Sequence, residues 1–129
     1  MIKLFEKFEN ISEVKDVIFL KAINTYDLNL IKFFVKKGYD INTQDAIYNA
    51  TYSGDVLRYF LENGADVKDL NNDWHTQNQL RIEEVQKILI DFGYENFIYD
   101  TVGFNKNLKK DPKYSDIVER FEDTEKYNL

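Results

Sequence analysis

The chain has 129 residues, 43% of them hydrophobic, with 10 Phe, 9 Tyr and one Trp, which supplies a core and excludes wholesale disorder. It has no cysteine and one histidine, His75, which excludes disulfides, thiolate metal sites, cysteine catalysis and a His-rich metal centre. Seventeen bases against 23 acids leave a net charge of −6, which argues against a nucleic-acid binder and suits a basic partner.

A single proline, Pro112, and five glycines make the chain poor in breakers, so it is predicted to be mostly helical. Leu4, Phe5, Phe8 and Ile11 lie at helical spacing and predict a short amphipathic helix. Charges every few residues deny this stretch the unbroken apolar run of a signal peptide or membrane span, so a cytoplasmic chain is expected. Ser12 is placed as the N-cap of a second helix carrying Val14, Val17, Ile18, Leu20, Ala22 and Ile23.

Three later segments, 30–41, 56–67 and 85–96, share one pattern of apolar helix, glycine and short polar turn. Gly38, Gly64 and Gly93 are 26 and 29 residues apart. Eight residues before each stands Leu30, Val56 or Val85, and six before it a base, Lys32, Arg58 or Lys87. Apolar residues fill the places five, four and three before it. The physical reading is a repeated helix closed by glycine in the left-handed C′ position, with its base on the outer face. One such unit cannot bury its own apolar face, whereas stacked units can.

The segment Gly64-Ala65-Asp66-Val67 after residues 57–63 resembles the end of an ankyrin repeat, as does Gly38-Tyr39-Asp40-Ile41-Asn42. The first helices align more loosely. Phe19, Ala22 and Ile23 precede Tyr26-Asp27, Ile47, Ala50 and Thr51 precede Gly54-Asp55, and residues 72–77 fall where the family has T-P-L-H-x-A. The spacing is shorter than the family's period of about 33. The second unit reads as about two residues short between Gly54 and Gly64, and Gln77 and Asn78 stand where small apolar residues should pack. The resemblance implies an all-α fold, a short ankyrin-like solenoid of antiparallel helix pairs with helical caps. It would form a single domain over residues 1–129: an N-terminal cap (1–15), about three degenerate repeats (16–96) and a C-terminal cap (97–129). Another stack of helix pairs is the alternative.

Residues 97–104 show no helical period and are expected to form an extended loop. Asp111-Pro112 predicts a cap with proline at the first helical position. The helix after it, to about Glu122, is expected to bury Tyr114, Ile117, Val118 and Phe121 and to turn Asp116, Glu119 and Glu122 outward. Residues 1–64 hold 8 bases and 9 acids, residues 65–129 hold 9 and 14, so the negative charge lies mostly in the second half.

Chemistry finds little purchase. His75 is the only neutral-pH base, and Ser12, Ser53 and Ser115 lie in no nucleophile elbow. Glu83-Glu84 and Glu122-Asp123 are adjacent and do not face each other on a helix. No glycine-rich phosphate loop is present, and Lys106, Lys109, Lys110 and Lys113 read as a solvated basic stretch.

Stacked as the resemblance implies, Asn49, Tyr52, Ser53 and Thr76 project from the first helices, and Asp69, Asn71 and Asn72 sit in finger-like turns that grip proteins. Trp74 and Tyr52 are of the types that dominate binding hot spots. Asp66, Asp69, Asp73, Asp116, Glu119 and Glu122 would supply phosphate-mimicking charge that speeds encounter. The expectation is a non-enzymatic protein-binding module without cofactor, metal, nucleic acid or membrane, monomeric when free. Its sharpest form is an acidic immunity or inhibitor protein that blocks a cognate toxin such as a basic nuclease. The alternatives are an ankyrin-like effector of a host protein and an architectural subunit; an enzyme built on His75 is the weakest reading.

Overall fold

The structure, a computed structural model, describes the backbone of residues 12–127 and the side chains of residues 16–124. The expected helix of Leu4, Phe5, Phe8 and Ile11 lies outside the described residues. The described chain is all-α, with eight α-helices and no strand: α1 (Ser12–Asn24), α2 (Leu28–Lys36), α3 (Gln44–Ala50), α4 (Gly54–Glu62), α5 (Trp74–Leu80), α6 (Glu83–Asp91), α7 (Glu95–Thr101) and α8 (Pro112–Tyr127). Two 3₁₀ turns, Val67–Asp69 and Lys106–Lys110, complete it. The chain divides into two compact units at Leu70 and Asn71.

The three patterned segments are the helices α2, α4 and α6, each of nine residues. Each is closed by its glycine at positive φ: +94° at Gly38, +96° at Gly64 and +85° at Gly93. The closure is the same double hydrogen bond every time. The N–H groups of Tyr39, Ala65 and Tyr94 donate to the carbonyls of Phe34, Phe60 and Leu89 at 3.2, 3.0 and 2.9 Å. The glycine N–H groups donate one residue further on, to Val35, Leu61 and Ile90. The residue four before each glycine, Phe34, Phe60 or Leu89, is wholly buried.

The cap residues correct the repeat register. Asp27 and Ser53 are the N-caps of α2 and α4, accepting from the N–H groups of Leu30 and Val56 at 3.1 and 3.5 Å. Ile82 occupies the same place before α6. Asp27 therefore corresponds to Ser53, not Asp55, and the two-residue shortage of the second unit vanishes. The repeated bases are half-buried and not simply on an outer face. Lys32 lies over the Tyr59 ring at 5.5 Å, and Lys87 pairs with Asp111 at 3.2 Å.

In the first unit α1 packs on α2 and α3, and α3 on α4, around Ile23, Ile31, Phe34, Ile47, Leu57 and Phe60. The turns entering α3 and following α4 are joined by hydrogen bonds. Asn42 Nδ2 donates to Asp69 Oδ2 at 2.9 Å, the Asp66 N–H donates to Asn42 Oδ1 at 2.9 Å, and Gln44 Nε2 donates to the Asp69 carbonyl.

In the second unit α6 packs on α5 and α7, and the turn Lys106–Lys110 packs on α6 and α8. Residues 97–104 are a correction: they are not extended, because α7 runs to Thr101 and buries Ile98, with Gly103 closing the turn at φ +78°. The last helix begins at Pro112 as expected but reaches Tyr127. It buries Tyr114 and Val118, while Ile117 and Phe121 are half-buried. Phe121 joins Tyr99 and Phe104 in an aromatic cluster with centroids 4.9 and 5.2 Å away.

Candidate functional site

Many of the polar residues singled out above are bound up in local structure. Ser53 caps α4. Asp66 accepts from the Lys68 N–H at 3.0 Å, and Asp69 holds Asn42. Asp73 caps α5 by accepting from the Thr76 N–H at 2.8 Å, and that hydrogen bond is the main reason its carboxyl lies below the ordinary range. Asn72 accepts from Gln77 Nε2 at 2.9 Å, and Asn49 Nδ2 donates to the Asp45 carbonyl at 2.7 Å. Thr76 is 3% exposed, so it turns inward and does not project. Glu122 is paired with Lys109 at 2.7 Å.

What stays on display is narrower. Trp74, first residue of α5, is 68% exposed, and its ring meets His75 edge-on at 5.1 Å. Asn71, Asn72 and Asp73 beside it are exposed as well. Within the first unit, Tyr52 is exposed and its ring stands perpendicular to that of Tyr48, with the two hydroxyls 2.8 Å apart. On α8, Asp116 and Glu119 are exposed and form no ion pair among the described residues.

Two features leave no trace in the sequence pattern. One is Gln86, wholly buried where the other two segments carry Ile31 and Leu57. The other is a groove of about 360 Å³ in the first unit, lined by Phe19, Leu20, Tyr39 and Ala46 together with Thr43 and three acids. The groove's acids come from stretches more than twenty residues apart, so no local spacing announced it.

Among the described residues, no three His, Cys, Asp or Glu side chains are placed to hold a metal ion, and no helix is long and apolar enough to cross a membrane. No protein-family model, curated protein or solved structure matches the chain.

Proposed function

We propose that the chain is a non-enzymatic protein-binding module for a basic protein, and specifically an acidic inhibitor of the immunity type that blocks a cognate toxin domain such as a basic nuclease. The observation that carries the reading is Trp74. The chain's single tryptophan is 68% exposed at the head of α5, beside Asp73, Asn71 and Asn72. A large amphipathic ring left in water, ringed by polar groups, is the composition of an interface hot spot. The acids of α8 and the net charge of −6 would speed encounter with a cationic partner more than they would hold it.

A short ankyrin-like solenoid is the architecture we propose for this module. It is supported by the three identical glycine closures and by the Asn42, Asp66 and Asp69 hydrogen bonds that tie one turn to the next. The test is co-purification from the source cells in moderate salt, using wild type and Trp74→Ala. The expected result is one stoichiometric basic partner, toxic when expressed alone and released as salt rises, whose capture Trp74→Ala abolishes without lowering the melting temperature. Absence of a basic 1:1 partner, or equal capture by both chains, overturns the reading.

A further inference from the structure

The groove of the first unit is lined by apolar and aromatic side chains together with three acids. Its aromatic part is held by packing: the Tyr39 ring lies 4.9 Å from Phe19 and 4.8 Å from the buried Phe34. Asp16 and Asp40 line it with Asp45, and all three are exposed. None of them forms an ion pair among the described residues. Asp40 Oδ1 accepts from the Asn42 N–H at 2.8 Å, which orients that carboxylate but leaves its charge uncompensated. Burial, and then the charge of Asp16, hold the Tyr39 hydroxyl above its ordinary value.

The three carboxylates do not converge on a point that would suit a metal ion. They border an apolar trough instead. The cation that matches this shape has a long apolar stem and a broad, weakly hydrated head. Arginine has both: its methylenes lie along apolar surface, and its guanidinium stacks on an aromatic ring while bonding carboxylates. A lysine's ammonium is a compact, strongly hydrated point charge with no planar face to lay on the ring. We propose that this groove receives an arginine side chain from a basic segment of a partner protein, with the guanidinium over Tyr39 and within reach of Asp16, Asp40 and Asp45. The inference rests on the reading of the chain as a binder of a basic protein and assigns it a second, separate contact.

The experiment is a titration of the full ¹⁵N-labelled chain with an arginine-bearing amphipathic peptide, alongside the same peptide with citrulline, which keeps the shape and removes the charge. The expected amide shifts gather at Asp16, Leu20, Tyr39 and Ala46. Affinity falls about tenfold or more with citrulline, and equally in the D16N/D40N/D45N chain, in which asparagine keeps the acceptor at position 40. Equal binding of the citrulline peptide, an unaffected triple variant, or shifts centred elsewhere would sink the proposal. Concentration-dependent shifts at the same residues without peptide would give the groove to a second copy and overturn it too. Trp74→Ala leaves the peptide titration unchanged, so failure here and failure of the partner capture are separate results.

Discussion

Gln86 and Asn105 are joined by a hydrogen bond in which the Asn105 N–H donates to Gln86 Oε1 at 2.7 Å. Gln86 Nε2 donates in turn to the carbonyls of Leu80 and Gly103 at 2.8 and 3.0 Å. Asn105 Nδ2 completes the set by donating to the Arg81 carbonyl at 3.0 Å. One buried amide thus pins the end of α5 and the loop before the Lys106–Lys110 turn to α6. Its position in the repeat is that of Ile31 and Leu57, so the polar residue marks where the pattern meets backbone groups that need partners.

Gln86→Leu restores the aliphatic residue of the other repeats and keeps the volume close. It leaves the buried Leu80 carbonyl and two part-buried groups, the Gly103 carbonyl and the Asn105 N–H, without their partner, and a fully buried group so orphaned costs about 1–3 kcal/mol. The expected loss of unfolding free energy is about 3 kcal/mol, read by urea denaturation. A loss below about 1 kcal/mol would mean that water takes over these bonds and that Gln86 is a bystander.

The helix that carries Gln86 lacks a side-chain cap. Asp27 and Ser53 cap α2 and α4 with a side-chain oxygen, but Ile82 has none to offer α6 and is 43% exposed. Its backbone is already extended, at φ −69° and ψ 131°, as an N-cap requires. Ile82→Ser is therefore expected to raise stability by about 1 kcal/mol. Serine is preferable to aspartate because Glu83 and Glu84 already occupy the first turn. A lower melting temperature would show that the isoleucine's remaining contacts outweigh a cap.

The sequence made α2, α4 and α6 legible because a glycine at positive φ and a wholly buried residue four places earlier leave a periodic trace. It hid α7, whose leading residue Tyr94 offers no side-chain cap and whose only buried residue is Ile98. It hid Gln86 because a glutamine within an apolar helix reads as a solvent-facing residue. The exposure of Trp74, Asp116 and Glu119 was legible, whereas Thr76, expected to project, is buried. Spacing did not show that the side-chain oxygens of Ser53, Asp66, Asp69 and Asp73 serve caps and turns. The same residue types cap helices and bind partners, and spacing alone does not separate the two uses.

Acid should loosen the fold through two aspartates that accept from backbone N–H groups, Asp73 and Asp111. The carboxyls of Asp73 and Asp111 lie below their ordinary value of 3.8, each chiefly because a backbone N–H, of Thr76 or of Lys113, donates to the charged form. Lys87 adds to the effect at Asp111. A carboxylate with a depressed folded pKa contributes stability above its unfolded value and loses it as the pH falls through the folded one. The melting temperature is expected to fall below about pH 4, and less steeply in Asp73→Asn/Asp111→Asn, in which asparagine keeps an acceptor but does not titrate. A scan of melting temperature from neutral to strongly acidic pH decides it; identical acid limbs in the two chains would remove these aspartates from the cause.

The glycine closure also occurs once without glycine. At the end of α1 the Tyr26 N–H donates to the Ile23 carbonyl at 3.0 Å and the Asp27 N–H to the Ala22 carbonyl at 2.9 Å. This is the same pair of hydrogen bonds that ends α2, α4 and α6, and Tyr26 holds the left-handed position at φ +57°. An L-residue with a side chain bears about 1–2 kcal/mol of strain there, which glycine does not. The two substitutions should therefore have opposite signs. Gly64→Ala places a Cβ in open space, so its cost is conformational alone, about 1 kcal/mol. Tyr26→Gly relieves that strain of about 1–2 kcal/mol and gives back about 0.5–1 kcal/mol through the freer unfolded chain, so it should gain up to about 1 kcal/mol if the packing of the ring, which is 44% exposed, contributes little. Chemical denaturation of both variants reads the pair. A destabilised Tyr26→Gly chain would show that the ring's packing on its neighbours outweighs the backbone strain, and a stabilised one that loses its partner would place Tyr26 in the interface.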